Sequence, residues 1–210
     1  MQDALVLSRA LAQYRQRAPV YDLELLAFEP LRRAAVAQLA LQRGATVLDV
    51  GCGTGLSLDL LQAAVGPQGL VLGIEPCPQM LQRARQRAQR HGWPQVRLLQ
   101  ASAQAARIPH RADAALFFFT HDVLRSATAV RHVLRRLRAG ARVVAVGLQW
   151  APSWALLTNC LVMGAALRSV GTFEGLDRPW GLLAPLLEDC SVETMLGGGI
   201  YIASGTTPRN

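Results

Sequence analysis

The residues best equipped for chemistry lie in one stretch, Val47-Leu48-Asp49-Val50-Gly51-Cys52-Gly53-Thr54-Gly55-Leu56. An apolar run ends there in three alternating glycines. Glycine lets the backbone turn tightly and approach a ligand with no Cβ in the way. Asp49 precedes the turn, and Glu75 follows 20 residues beyond Gly55. A carboxylate at that distance can accept both hydrogen bonds of a ribose diol, a bidentate and charge-assisted contact. The spacing is selective. A dinucleotide turn reads GxGxxG, whereas here Leu56 takes the third glycine's place, which weakens a pyrophosphate reading. A further constellation is Thr120-His121-Asp122, just past another apolar run. Imidazole titrates near neutral pH, so His121 is the candidate general base. Asp122 either orients it or caps the next helix.

These residues need a scaffold, and the pattern supplies one. Strands are predicted over 46–50, 70–74, 96–100, 114–119 and 142–146. Helices are predicted between them over 56–65, 78–90 and 122–138, the last ending at Gly140. Upstream, helices are predicted over 3–17 and 21–42, the second stopping before Gly44. Five strands alternating with helical segments form a parallel sheet with right-handed crossovers. Their near-continuous apolar character fits strands covered on both faces. After an apolar helix near 153–168, two runs at 192–196 and 200–204 flank Gly197-Gly198-Gly199 and read as a terminal hairpin at the sheet edge.

Composition narrows the function. The 210 residues suffice for one domain with one sizeable core. With 51% hydrophobic and 17% charged residues, general disorder is excluded. All 22 basic residues are Arg, so Schiff-base chemistry, a lysine base and a P-loop are excluded. Residues 79–142 hold 13 Arg against only Asp113 and Asp122. Such a block attracts phosphate of nucleic acid or of an anionic membrane, or is simply a solvated face. It lacks the interleaved aromatics of a single-strand binder, and its arginines are expected on outward helix faces, away from any cofactor. Cys52, Cys77, Cys160 and Cys190 form no CxxC pair, and the histidines do not complete a metal set, so no metal is expected. Reduced, mostly buried thiols point to the cytoplasm. The N-terminus, with an early acid and Arg after its apolar part, does not read as a secretory signal. Residues 143–167 carry no charge but are interrupted by Gly147, Gln149, Pro152 and Asn159. They read as a strand and a separate helix, not a membrane span, with peripheral membrane contact left open.

VLDVGCGTG followed by GIEPCPQML resembles the class I S-adenosylmethionine-dependent methyltransferases. The resemblance runs from about residue 18 to 205. Ala18-Pro19-Val20-Tyr21-Asp22 is similar to the Tyr-Asp segment that precedes the fold in ubiquinone- and menaquinone-type members. It implies a Rossmann-like, doubly wound α/β sheet of seven strands, mostly parallel, the last antiparallel and inserted. It also divides the single domain into an N-terminal lid (1–43), a cofactor core (44–147), acceptor-shaping helices and loop (148–190) and the hairpin (191–205).

The resemblance further implies S-adenosylmethionine as cofactor, S-adenosylhomocysteine as product, and a role for each matching residue. Asp49, Gly51, Cys52, Gly53 and Gly55 hold the methionine part. Glu75 holds the ribose, and Pro76 and Met80 lie beside the adenosine. Ser102 and Ala103 fall where the family often has an Asp for the adenine amino group, so the neutral Ser102 is a weaker acceptor. The fourth-strand run through Phe118 and Phe119 ends beside the sulfonium. Tyr21 belongs to the lid; Tyr14 reads as a packing residue. The segment after the fifth strand shapes the acceptor pocket in this family, which makes Phe119, Glu174, Asp177, Arg178 and Trp180 candidate acceptor contacts. Methyl transfer is an in-line displacement, so positioning dominates, and a base is needed only for a nucleophile that starts protonated. The expected function is methylation of a small, apolar or amphipathic acceptor. The alternative is an RNA methyltransferase, or a cofactor-binding adaptor acting through the Arg-rich 79–142 face. Arsenite methylation lacks its cysteine set, aminopropyl transfer its acid pair, and DNA amino-group methylation its Asn/Asp-Pro-Pro-Tyr.

Overall fold

Short runs rich in Val, Leu and Ile, each closed by Gly or a polar residue, become the strands of one sheet. The computed structural model describes residues 25–169 and 172–209. The predicted 3–17 helix, Tyr14 and Tyr21 lie outside these residues. The strands are β1 (Thr46–Val50), β2 (Leu70–Ile74), β3 (Val96–Leu99), β4 (Ala112–Phe118), β5 (Leu137–Leu148), β6 (Glu188–Met195) and β7 (Ile200–Thr206). Their order is β3-β2-β1-β4-β5-β7-β6. β1 to β5 are parallel, and β7 inserts antiparallel between β5 and β6, as the resemblance implied.

The helices are α1 (Glu29–Gln38), α2 (Leu58–Val65), α3 (Pro78–His91), α4 (His121–Leu124), α5 (Ala127–Leu134) and α6 (Leu156–Ser169). Pro78 opens α3 and Gly92, in the left-handed region, closes it, which is how the sequence punctuates a helix.

Three boundaries differ from expectation. The described part of the predicted 21–42 helix begins with a 3-10 turn at Leu26–Phe28, and α1 stops at Gln38, with Ala40 in the left-handed region well before Gly44. The predicted 122–138 helix splits in two, because the Ser126 side chain accepts from Ala129 N–H and starts a new helix. It also stops at Leu134. Gly140, expected as its terminator, lies inside a β5 that runs 12 residues and pairs with a register shift against β4.

Alternation along β4 and β5 divides the core. Ala115, Phe117, Val143 and Ala145 face one side with α5 and Tyr201. Ala114, Leu116, Val144 and Val146 face the other, with α1, α2 and the inner residues Val162 and Ala166 of α6. Both sheet faces are therefore dry, and ligands are left the carboxyl edge of the parallel strands.

Candidate active site

At that edge the β1–α2 turn is held from below. Gly51 and Cys52 N–H both donate to the Ile74 carbonyl, at 2.8 and 3.1 Å. Glu75, at the end of β2, accepts from Gly53 N–H (3.1 Å) on one carboxylate oxygen and from Cys77 N–H (2.7 Å) on the other. Each oxygen keeps a lone pair for a further donor. A Cβ on Gly51 would lie 2.5 Å from the Thr120 methyl, so glycine is required for the β1 and β4 ends to meet. Arg87 Nε donates to the Thr54 carbonyl at 3.2 Å, so one arginine of the basic block supports the turn. The others leave it alone, and none of the 13 is buried.

Above the turn is a small cavity of about 20 Å³ lined by Leu25, Arg32, Asp49, Phe118 and the turn residues Gly51, Cys52, Gly53, Thr54, Leu56 and Ser57. Asp49 is 2% exposed, and its Oδ2 has no hydrogen-bond partner. Burial pushes its carboxyl up to about 7, against the opposing pull of the Arg32 guanidinium. Glu75 is also pushed up to about 7 by burial, tempered by its two backbone N–H donors.

Arg32 is the residue that sequence reasoning missed. It is 2% exposed, on the inner face of α1. Nη1 meets Glu29, and the guanidinium lies 4.9 Å from the Phe118 ring centroid. Nε and Nη2 have no partner. In sequence it looked like one arginine among 22, and only its phase on α1 could have separated it from exposed Arg33. Buried polar groups are normally hydrogen-bonded. Here a half-satisfied cation and a carboxylate with one unpartnered oxygen share one cavity.

Aromatic rings gather past β4. Phe119 has φ 55° and sets its ring edge-on to Phe118 (5.0 Å) and tilted on Phe28 (4.9 Å). Trp150, at the end of β5, meets Phe173 at 6.2 Å. Phe28, Trp150 and Phe173 were not singled out in sequence. His121 is 8% exposed and does not line the cavity. Its Nε2 lies 3.1 Å from the Glu174 carbonyl. A carbonyl only accepts, so Nε2 carries the proton and Nδ1, buried without a partner, carries the lone pair. Burial lowers the pKa of the ring and favours this neutral form.

The 172–180 loop splits between faces. The Glu174 carboxylate pairs with Arg125 at 2.6 Å and is otherwise exposed. Asp177 and Arg178 are exposed. Trp180 packs on Tyr201 (4.9 Å) in the core on the opposite sheet face from Phe118 and Phe119. Met80 and Ala103 are buried, and Pro76 and Ser102 half-buried, beside the Glu75 end of the site. Cys52 lies in the turn, where burial pushes its thiol well up, and it is not an activated nucleophile.

Residues 47–140 match the family model described as a methyltransferase domain. A solved S-adenosylmethionine-dependent methyltransferase from Aquifex aeolicus superposes with a TM-score of 0.59 at 18% identity, covering 84% of this chain and 89% of that one. The chain has the class I methyltransferase fold. Two curated relatives match the chain at 33% identity. One is aklanonic acid methyltransferase DauC of Streptomyces sp. (strain C5), matched over 53% of this chain and 51% of that protein. The other is 2-phytyl-1,4-naphtoquinone methyltransferase of Thermosynechococcus vestitus, matched over 62% and 60%. The matches thus span between half and three-fifths of those relatives.

The cofactor this methyltransferase family implies is S-adenosylmethionine, and the donor set fits it. Its amino-acid end is a zwitterion, and the cavity offers the inverse pair: a free Asp49 oxygen for an ammonium, and free Arg32 N–H groups for a carboxylate.

Proposed function

We propose that this chain transfers a methyl group from S-adenosylmethionine to a small, largely apolar, aromatic-type acceptor. The observation that carries the reading is the unsatisfied Arg32–Asp49 pair above the glycine turn. When bound, the cofactor supplies an already activated methyl carbon. Asp49 would accept from its ammonium and Arg32 donate to its carboxylate. Glu75 would take the ribose hydroxyls on its remaining lone pairs. The half-buried Ser102 and buried Ala103 would receive the adenine. Phe28 with Phe119, and Trp150 with Phe173, form two aromatic contacts past β4 and β5, which supports an apolar acceptor, as do relatives named for a naphtoquinone and for aklanonic acid. His121 Nδ1 is the group we assign to proton removal from the acceptor. A nucleic-acid acceptor is not favoured, because the basic block does not converge on the cavity. The free, buried thiols of Cys52 and Cys77 suit a reducing compartment, and we place the protein in the cytoplasm.

Calorimetric titration with S-adenosylmethionine and S-adenosylhomocysteine tests the cofactor. Labelled methyl transfer to a panel of hydroxynaphthoquinones, phenols and carboxylic acids tests the acceptor. Binding of both cofactor forms, with Arg32→Met much weaker, is expected. A protein that binds neither overturns the reading.

A further inference from the structure

α6 breaks the rule for a helix in water. Its outer face carries Leu156, Leu157 (76% exposed), Leu161 (68% exposed) and Met163, preceded by Trp154 at 80% exposed. Exposed Cys160 and Gly164 complete that face, and nothing lies within 4 Å of where a Gly164 Cβ would be. The polar side chains of its described part, Thr158 and Asn159, are used inward. Asn159 Oδ1 accepts from Ala151 N–H (2.9 Å), while its Nδ2 donates to the Ala151 and Pro152 carbonyls. Thr158 packs against Gly197 and Gly199. The outer face between Trp154 and Leu167 is left with no charge and no hydrogen-bonding side chain turned outward.

We propose that this face seats the protein on a lipid leaflet, with α6 lying in the plane of the interface. Protein–protein interfaces carry direct hydrogen bonds and a polar rim. A strip of Leu and Met with a leading Trp instead matches the buried face of an interfacial helix. Contiguous apolar exposure of this kind marks an interaction surface. Charge contributes at long range: the chain carries a net +8, concentrated in residues 79–142 and not in the segment that carries α6, and anionic lipid attracts a cationic protein before the apolar face inserts. α6 would lie in the interface, and no described helix is long and apolar enough to cross a membrane. A lipophilic acceptor of the proposed kind would then reach the protein from the leaflet itself. That benefit rests on the proposed acceptor, whereas the seating does not.

The test is flotation of the full chain with phosphatidylcholine vesicles and with mixed phosphatidylcholine–phosphatidylglycerol vesicles, without cofactor or acceptor. Wild type should float with both, more with the anionic mixture. Leu157→Glu with Leu161→Glu should lower binding to both by more than about tenfold, with thermal unfolding and S-adenosylhomocysteine binding kept. Three results overturn the proposal. One is wild type that does not float. Another is a double variant that floats equally well, which leaves only arginine attraction. The third is a vesicle-free dimer in sedimentation that the double variant dissociates, which assigns the face to a second copy. Loss of flotation with cofactor binding retained leaves the methyltransferase reading intact, so the two fail separately.

Discussion

The carboxyl end of β1 and the outer face of α6 violate the ordinary rules of a water-soluble fold in opposite directions. At β1, ionisable groups are buried with unsatisfied atoms: Asp49 Oδ2, and Arg32 Nε and Nη2. At α6, large apolar side chains are left in solvent. Neither stabilises the isolated chain. Sequences are otherwise consistent from local propensity to core, and violations concentrate where something else must bind. The sign of the violation reports the chemistry of what binds: a charged, hydrogen-bonding ligand at β1, an apolar surface at α6. His121 is an intermediate case, a buried ring whose Nδ1 has nothing to bond.

The sharpest test of that idea has the largest effect. If Nδ1 is kept vacant for the acceptor's proton, His121→Ala lowers turnover by about 10²–10⁴-fold, the usual range for a general base, with cofactor affinity unchanged. If the ring only ties α4 to the Glu174 carbonyl, turnover in steady-state assays stays within a few-fold and only melting drops. Next comes Arg32→Met. Losing charged hydrogen bonds to the cofactor should cost about 2–3 kcal/mol of binding, close to a hundredfold in Kd by calorimetry. Yet the apo protein should melt no lower, because Met fills the volume without a buried, half-satisfied cation. Lower stability together with unchanged affinity would reverse the contrast.

Much of this was legible in the sequence because it is local. The strand–glycine turn, the Glu75 spacing and the strand–helix alternation all depend on neighbours in the chain, and the turn, β2 and α3 formed as read. The insertion of β7 between β5 and β6 came only from family resemblance. What stayed hidden depends on tertiary context. Arg32 becomes special only because α1 presses that phase of its helix over Phe118. Trp180 looked like an acceptor contact because it lies in the right loop, but Tyr201 draws it to the other sheet face. The 122–138 helix broke because the Ser126 hydroxyl offered a second N-cap, which a periodicity count does not register. The exposure of α6 was equally invisible: an uncharged run reads as core unless the neighbouring elements are known.

Two predictions of intermediate size concern the carboxylates. Glu75→Ala removes both remaining ribose acceptors and should weaken S-adenosylhomocysteine by about 1.5–3 kcal/mol in the same calorimetry. The second is a pH dependence. Asp49 and Glu75 are raised by burial from their ordinary carboxylate values to about 7. Between about pH 4 and 7 the folded apo protein therefore holds protons that the unfolded chain has released, and its stability falls as pH rises through that window, then levels. If Asp49 accepts from the cofactor's ammonium as proposed, binding needs it ionised, so affinity moves the other way, weakening as pH drops below about 7. In Asp49→Asn, part of the apo melting dependence should flatten, by a few degrees across the window. Parallel pH trends in melting and affinity for wild type would contradict a buried carboxylate held for the cofactor.

The smallest effect distinguishes the two faces of α6 directly. Val162 and Leu161 are adjacent in sequence, but Val162 is buried against the sheet and Leu161 is exposed. Val162→Ala removes buried methyl groups and leaves a partial cavity, for a loss of about 1–2 kcal/mol. In a chain of this size each kcal/mol moves the melting temperature by roughly 2–4 °C. Leu161→Ala removes a larger side chain, yet one that makes little contact in the free protein. Ala is also the better helix former. Its melting temperature should stay within about 1 °C of wild type, corresponding to less than about 0.5 kcal/mol. The inequality runs against side-chain size, so hydrophobicity alone does not predict it. Were Leu161→Ala to cost as much as Val162→Ala, the outer face of α6 would already be covered within the molecule, and the contrast between a buried vacancy at β1 and an exposed surface at α6 would be lost.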